Sequence, residues 1–224
     1  MSPEHPRTCF LSALNPKQRM KLSLSSPRLV VRRGVYLYLA GDEAESLYIL
    51  QTGRIKISRV QCNGRESALG ILDSGELFGL EGLRGFKSRD SCARALDESR
   101  VIAIDREKLQ ALVQEQPELS LLLIRILSEQ LMDSQRVIER LLLKDVKARL
   151  ASLLLDLALR CGIPAENGVR LGAHITHQDM ANLIGSTRET TTAVLNQFKR
   201  SHLIQMQRRE ITLTAWEDLR QLAS

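Results

Sequence analysis

Apolar and polar positions along the 224-residue chain change rhythm three times. From about Leu29 to Asp105, short β-rich runs alternate with glycine. The runs are Leu29-Val-Val, Val35-Tyr-Leu-Tyr-Leu, Ser46-Leu-Tyr-Ile-Leu, Arg54-Ile-Lys-Ile-Ser and Val101-Ile-Ala-Ile. Gly34, Gly41-Asp42, Gly53, Asn63-Gly64, Ser74-Gly75 and Gly79 fall between them. Many short strands separated by turn residues predict a β barrel or roll. Asn63-Gly64 predicts a hairpin turn, because both residues tolerate positive φ.

From Arg106 to about Leu143 glycine disappears and helix formers dominate. Pro117 suits the first turn of a long helix, where its missing N–H costs nothing. Ser120, Ile124, Leu127, Leu131, Ser134, Ile138 and Leu141 recur at alternating spacings of four and three. That is an a/d seam, which predicts pairing with a second helix. Leu121, Leu122, Leu123 and Ile126 form another apolar face, expected to pack on the β region. Two apolar faces favour a dimer axis over a helix buried within one domain. After Lys144-Asp145 short amphipathic helices begin with Val146 to Leu159, and Cys161-Gly-Ile-Pro164 with Asn167-Gly168 predicts a loop.

The next segment reads as two short helices joined at Gly185. Thr176-His-Gln-Asp179 predicts a capping box, with Met180, Ala181 and Ile184 facing inward. Ser186-Thr-Arg-Glu189 predicts a second box opening a helix to about Arg200, with Val194, Leu195 and Phe198 inward. Capped helices around a glycine turn match a helix-turn-helix. Thr187, Arg188, Glu189, Thr192 and Ala193 then fall where a recognition helix meets base edges. Arg can bond guanine bidentately and Glu can accept from cytosine. Thr176, Gln178, Ser186, Thr187 and Thr190 are short polar groups suited to phosphate oxygens. His202-Leu-Ile-Gln-Met-Gln and Glu210-Ile-Thr-Leu-Thr flank Arg208-Arg209, a basic hairpin that predicts a wing. Thr214-Ala-Trp-Glu217 predicts a further capping box before a C-terminal helix.

Charge sharpens this picture. Between Thr187 and Arg209, five basic residues (Arg188, Lys199, Arg200, Arg208, Arg209) face one acid, Glu189, a local +4 of the formal +6. Such concentration suits a polyanion such as double-stranded DNA. The rival class is an enzyme of the metal-holding barrel type. The four histidines, His5, His174, His177 and His202, all lie outside the β-rich region, so no metal triad forms there. Phosphate-loop, nucleophile-elbow and zinc-protease motifs are absent. Cys9, Cys62, Cys92 and Cys161 stand singly, which predicts neither disulfides, zinc nor an iron–sulfur cluster. The start carries no export pattern and no apolar run is long enough to span a membrane, so the chain is expected to be cytoplasmic and free of membranes.

The chain resembles the CRP/FNR family of bacterial regulators over nearly its whole length. Ala40-Gly-Asp-Glu-Ala-Glu-Ser-Leu-Tyr48 is similar to a β-roll segment, and Phe78-Gly-Leu-Glu-Gly-Leu83 to the effector-binding cassette. Asp145-Val-Lys-Ala-Arg-Leu150 resembles the hinge and Gly185-Ser-Thr-Arg-Glu-Thr190 the recognition helix. The C-terminal half is most similar to the cyanobacterial global nitrogen regulators, in Cys161-Gly-Ile-Pro, His177-Gln and Ile184-Gly-Ser-Thr-Arg188. The resemblance implies an α+β fold: a cyclic-nucleotide-type β-roll with an N-terminal helical segment (1–110), a long dimerisation helix (111–143) and a winged helix-turn-helix (144–224). It implies a homodimer that reads a palindromic promoter site and acts with RNA polymerase, often as an activator. The alternative is a sensor of cyclic nucleotide or 2-oxoglutarate whose C-terminal domain binds a protein.

Departures from the family pattern bear on the effector. Gly79 is followed by Leu80 before Glu81, and Arg89 by Asp90, where a cyclic-AMP cassette has Gly-Glu and Arg-Ser. A carboxylate beside the phosphate position repels that ligand, and Asp90 is expected to pair with Arg89. The base-capping positions are Ser134 and Gln135. The Arg and Glu that help hold 2-oxoglutarate correspond to Gln130 and Gln135, which removes the strongest contact to a dicarboxylate. Neither ligand is expected to fit, which leaves another effector or none. Ala193 stands where a third base-reading residue, usually Arg, is found, so the resemblance implies a TGTGA-like half-site read loosely at one base pair.

Overall fold

The structure, a computed structural model, describes residues 10, 14–17, 19–20, 26–60, 66–84, 87–172, 175–207 and 210–224. Asn63-Gly64, Cys9, Cys62, His5, His174, Arg208-Arg209 and most of the expected N-terminal helical segment lie outside these residues. The chain divides into two compact units, Met1–Ser134 and Gln135–Ser224.

The first unit holds strands β1 (Arg28–Val31), β2 (Tyr36–Tyr38), β3 (Ser46–Thr52), β4 (Ile55–Val60), β5 (Glu66–Leu72), β6 (Leu77–Phe78), β7 (Cys92–Ala95) and β8 (Ser99–Asp105), with a 3-10 turn at Leu80–Arg84. They form two four-stranded antiparallel sheets, ordered β1-β8-β3-β6 and β2-β7-β4-β5. Side chains alternate between the two faces of a strand, and β3 and β8 are apolar on both. Leu50 and Val101 join Val31, Tyr38, Ile55, Phe78, Ala93 and Ala95 in one core. Leu47, Ile49, Ile102 and Ile104 join Leu77, Leu109, Leu112, Leu119 and Ile126 in another, with Phe10 and Leu14. These strands therefore read as continuous apolar runs.

Helix α1 (Arg106–Glu115) and helix α2 (Glu118–Leu143) follow. A long helix was expected from residue 111, but 111–115 belong to α1. The break falls at Gln116-Pro117, because proline offers no N–H and crowds the residue before it out of helical geometry. Leu119 and Ile126 are buried and Leu122 and Leu123 pack beside them. Leu121, expected with that group, is 70% exposed. At 3.6 residues per turn it falls on the opposite side of the helix.

In the second unit, α3 (Val146–Cys161) is capped by Asp145, which accepts from the Ala148 amide at 2.8 Å. Next come β9 (Gly162–Ala165), β10 (Gly168–Leu171), α4 (His177–Leu183), α5 (Arg188–Arg200), β11 (Ile204–Gln207), β12 (Glu210–Leu213) and α6 (Trp216–Ala223). The segment expected as a loop is the β9–β10 hairpin, which extends the wing into a sheet ordered β11-β12-β10-β9. Pro164 is tolerated because β9 is an edge strand, where an N–H can be spared. Leu150, Leu154, Met180, Ile184, Val194, Leu195, Phe198 and Leu213 make one buried core.

Candidate functional site

The helix-turn-helix is built from local hydrogen bonds. Thr176 forms the expected capping box with Asp179: its hydroxyl accepts from the Asp179 amide at 3.0 Å and donates to the carboxylate at 2.7 Å. That hydroxyl is committed to the cap. Gly185 takes φ of 61°, and the Ser186 amide donates to the Ala181 carbonyl at 2.9 Å, which closes the turn. A side chain at 185 would also meet Leu141, whose Cδ2 lies 2.8 Å from the position of a Cβ there.

The second expected capping box does not form. The cap of α5 is Thr187, one residue later than Ser186, and its hydroxyl accepts from the Thr190 amide at 3.1 Å. Threonine three residues on, where a box needs a longer acid, shares a hydroxyl–hydroxyl bond of 2.9 Å with it. The expected box before the C-terminal helix is also absent: Ala215 takes the cap position, and Thr214 donates to the His202 carbonyl at 2.7 Å.

Arg188, Glu189, Thr190, Ala193, Lys199 and Arg200 are exposed on α5. Thr192 is half-buried and bonded to the His177 ring. Ser186 and Gln178 are half-buried, and Gln178 donates to the Asn182 side chain at 3.0 Å. Glu189 lies in the first turn of α5 and Lys199 and Arg200 in the last, each favourable to the helix dipole. Sequence reasoning passed over Asn196, exposed one turn beyond Ala193, and the contact of the half-buried His177 ring with Thr192. The i, i+3 spacing could have found the first; only the fold reveals the second.

The β-roll gathers part of the expected effector site. Gly79 and Glu81 meet the buried Arg89 guanidinium, and Phe78 stacks beside the Tyr38 ring. Arg89 Nη1 donates to the Gly79 carbonyl at 2.9 Å and to Glu81 at 3.2 Å, and Nη2 to the Ser46 carbonyl. The Arg89 guanidinium lies 4.5 Å from the Tyr38 ring centroid and 5.3 Å from that of Tyr48. Burial, and then Glu81, push the Tyr38 phenol well above its ordinary pKa, so it stays neutral. Leu80 packs toward the helices instead.

The expected Asp90–Arg89 pair is replaced. Asp90 is exposed and bonds Arg59 at 2.7 Å, while Arg89 pairs with Glu81. Consecutive residues of an extended chain point to opposite faces, so Asp90 cannot follow Arg89 inward. Gln130 reaches the Leu77 carbonyl at 3.3 Å, Ser134 bonds the Gln130 carbonyl of its own helix at 2.9 Å, and Gln135 is exposed. A cyclic phosphate needs a free cation, and this one is already bonded to a carboxylate, so the residues present do not fit that ligand. No cluster able to hold a metal occurs among the described residues.

A β-roll, a long helix and a helix-turn-helix with a basic recognition face together define a DNA-binding transcriptional regulator. Residues 28–116 match the cyclic nucleotide-binding domain and residues 148–222 the Crp-like helix-turn-helix domain. The global nitrogen regulator of Nostoc sp. PCC 7120 is 34% identical over 183 residues, covering 81% of this chain and 82% of that protein. The CRP-like cAMP-activated global transcriptional regulator of Mycobacterium tuberculosis is 30% identical over 187 residues, 84% of each chain. A solved transcriptional regulator of the CRP/FNR family from Thermus thermophilus superposes with a TM-score of 0.72 at 27% identity, covering 88% of this chain and 98% of that one. The chain belongs to the CRP/FNR family of transcriptional regulators.

Proposed function

We propose that this chain is a cytoplasmic, homodimeric regulator that reads a palindromic promoter site and activates transcription with RNA polymerase, without cyclic AMP or 2-oxoglutarate. The observation that carries the reading is the exposure of Arg188 and Glu189 at the start of a capped α5, with the helix-turn-helix core closed behind them. In this reading Arg188 bonds guanine and Glu189 accepts from cytosine. Ala193 leaves one base pair loosely read. Ser186, Thr187, Thr190, Lys199, Arg200 and the wing residues Arg208 and Arg209 meet phosphates.

Dimerisation is supported by α2. Ile124, Leu127, Leu131 and Ile138 are 58%, 41%, 61% and 56% exposed, a row of large apolar side chains on the side away from Leu119 and Ile126. Leu141 extends the row and Ser134 interrupts it, at seam spacing. No helix among the described residues is long and apolar enough to cross a membrane.

The test is fluorescence anisotropy with a duplex carrying inverted TGTGA half-sites and with a scrambled duplex. The reading predicts salt-sensitive affinity for both, tighter for the palindrome, and unchanged by cyclic AMP, cyclic GMP or 2-oxoglutarate. A tenfold gain with one of these compounds overturns independence of that compound. Absence of affinity for either duplex at low salt favours a protein partner instead.

A further inference from the structure

We propose that the Glu81 carboxylate is the resident anion of the Arg89 seat, and that it shuts anionic effectors out of the β-roll. The inference deepens the part of the proposed function that excludes cyclic AMP and 2-oxoglutarate, and rests on that reading. Its ground is how completely Arg89 is enclosed. The Arg89 side chain is fully buried and that of Glu81 is 15% exposed. A guanidinium so far from water needs a counter-charge. Asp90, its neighbour in sequence, is turned to Arg59, so the carboxylate that meets Arg89 is Glu81.

Glu81 is held from both sides. One oxygen accepts from Arg89 and the other from the Ser91 hydroxyl at 2.7 Å. The Gly79 and Ser46 carbonyls, which are neutral acceptors, take the remaining bonds. Gly79 is required for that approach: it takes φ of 73°, and a Cβ there would lie 2.9 Å from the Tyr48 ring and 3.0 Å from Arg89 Nη1. An incoming phosphate or carboxylate would place a second negative charge beside Glu81, which a buried site disfavours. Arg89 Nε, buried without a hydrogen-bond partner, is a donor that the carboxylate does not use. Once Glu81 loses its charge, Arg89 is left with an unbalanced charge and a spare donor, the chemistry that takes a small oxyanion.

The experiment compares thermal unfolding of the full chain, Glu81→Gln and the double variant Glu81→Gln/Arg89→Met, in chloride and in inorganic phosphate at equal ionic strength. Phosphate bound at DNA-contacting residues raises all three alike, so the readout is the difference from wild type. Glu81→Gln should melt lower than wild type in chloride, and phosphate should raise its Tm by roughly 5 °C more than it raises that of wild type, at a hundredfold excess over Kd. The double variant, with both charges gone, should lose this extra response. An equal phosphate response in wild type and Glu81→Gln overturns the proposal, as does an extra response that survives in the double variant. Duplex binding by wild type is measured separately, so failure here leaves the DNA-binding reading standing, and failure there leaves the phosphate comparison readable.

Discussion

The Nδ1 atom of His177 lies 2.9 Å from Oγ1 of Thr192, joining the first turn of α4 to the second turn of α5. The bond ties the recognition helix to the helix that supports it, and Thr192, expected from the sequence to contact DNA, is thereby engaged within the protein. Burial, and then the nearby Arg188 guanidinium, hold the His177 imidazole below its ordinary pKa of 6.5. The ring is neutral in the folded protein at pH 7.

Stability should therefore fall in mild acid through this residue. The unfolded chain protonates His177 near its ordinary pKa, while the folded chain does so only at lower pH. The unfolded state binds more protons between those values, so the stabilisation present above pH 6.5 is lost as pH drops through the folded pKa. Urea unfolding at about pH 7.5, 6.5 and 5.5 should show a shallower pH dependence for His177→Gln than for wild type. Identical slopes would mean that the imidazole is not buried against Arg188 as described.

Arg188→Ala should remove one bidentate base contact. The expected loss is about 1–3 kcal/mol in affinity for the preferred palindrome, with little change on a scrambled duplex. Anisotropy titrations at fixed salt measure both. Equal losses on the two duplexes would make Arg188 a phosphate contact.

Leu131→Glu should break the seam without unfolding the chain. Leu131 is 61% exposed, so the substitution leaves the cores intact, yet it sets two like charges against each other in a dimer. Sedimentation velocity should show a dimer for wild type and a monomer for the variant, with unchanged circular dichroism. A variant that remains dimeric would move the interface elsewhere.

Phe198→Ala should cost about 3–5 kcal/mol, because it empties a site 2% exposed in the core of the second unit. Chemical denaturation followed by Trp216 fluorescence reports that unit directly.

What the chain announced in advance was what depends on near neighbours. The Thr176–Asp179 box was legible because four consecutive residues carry it, and the exposed apolar row of α2 because helical period maps spacing onto one face. The β9–β10 hairpin was hidden by Pro164 and the glycines around it, residues that read as loop until an edge position excuses them. The cap of α5 slipped by one residue because Ser186 and Thr187 are both good caps and local pattern alone cannot choose. The Arg89 site was half legible. A carboxylate was expected at the guanidinium, but adjacency suggested Asp90. The true partner, Glu81, is brought there by the turn after β6, a tertiary relationship that no local rule contains.

The most direct test of the central claim is selection of bound sites from a random duplex pool by purified, ligand-free protein. The account predicts an enriched inverted repeat with TGTGA-like half-sites, loosely specified at one base pair, and no change when cyclic AMP or 2-oxoglutarate is added. Enrichment of no sequence, with duplex binding absent even at low salt, would contradict it.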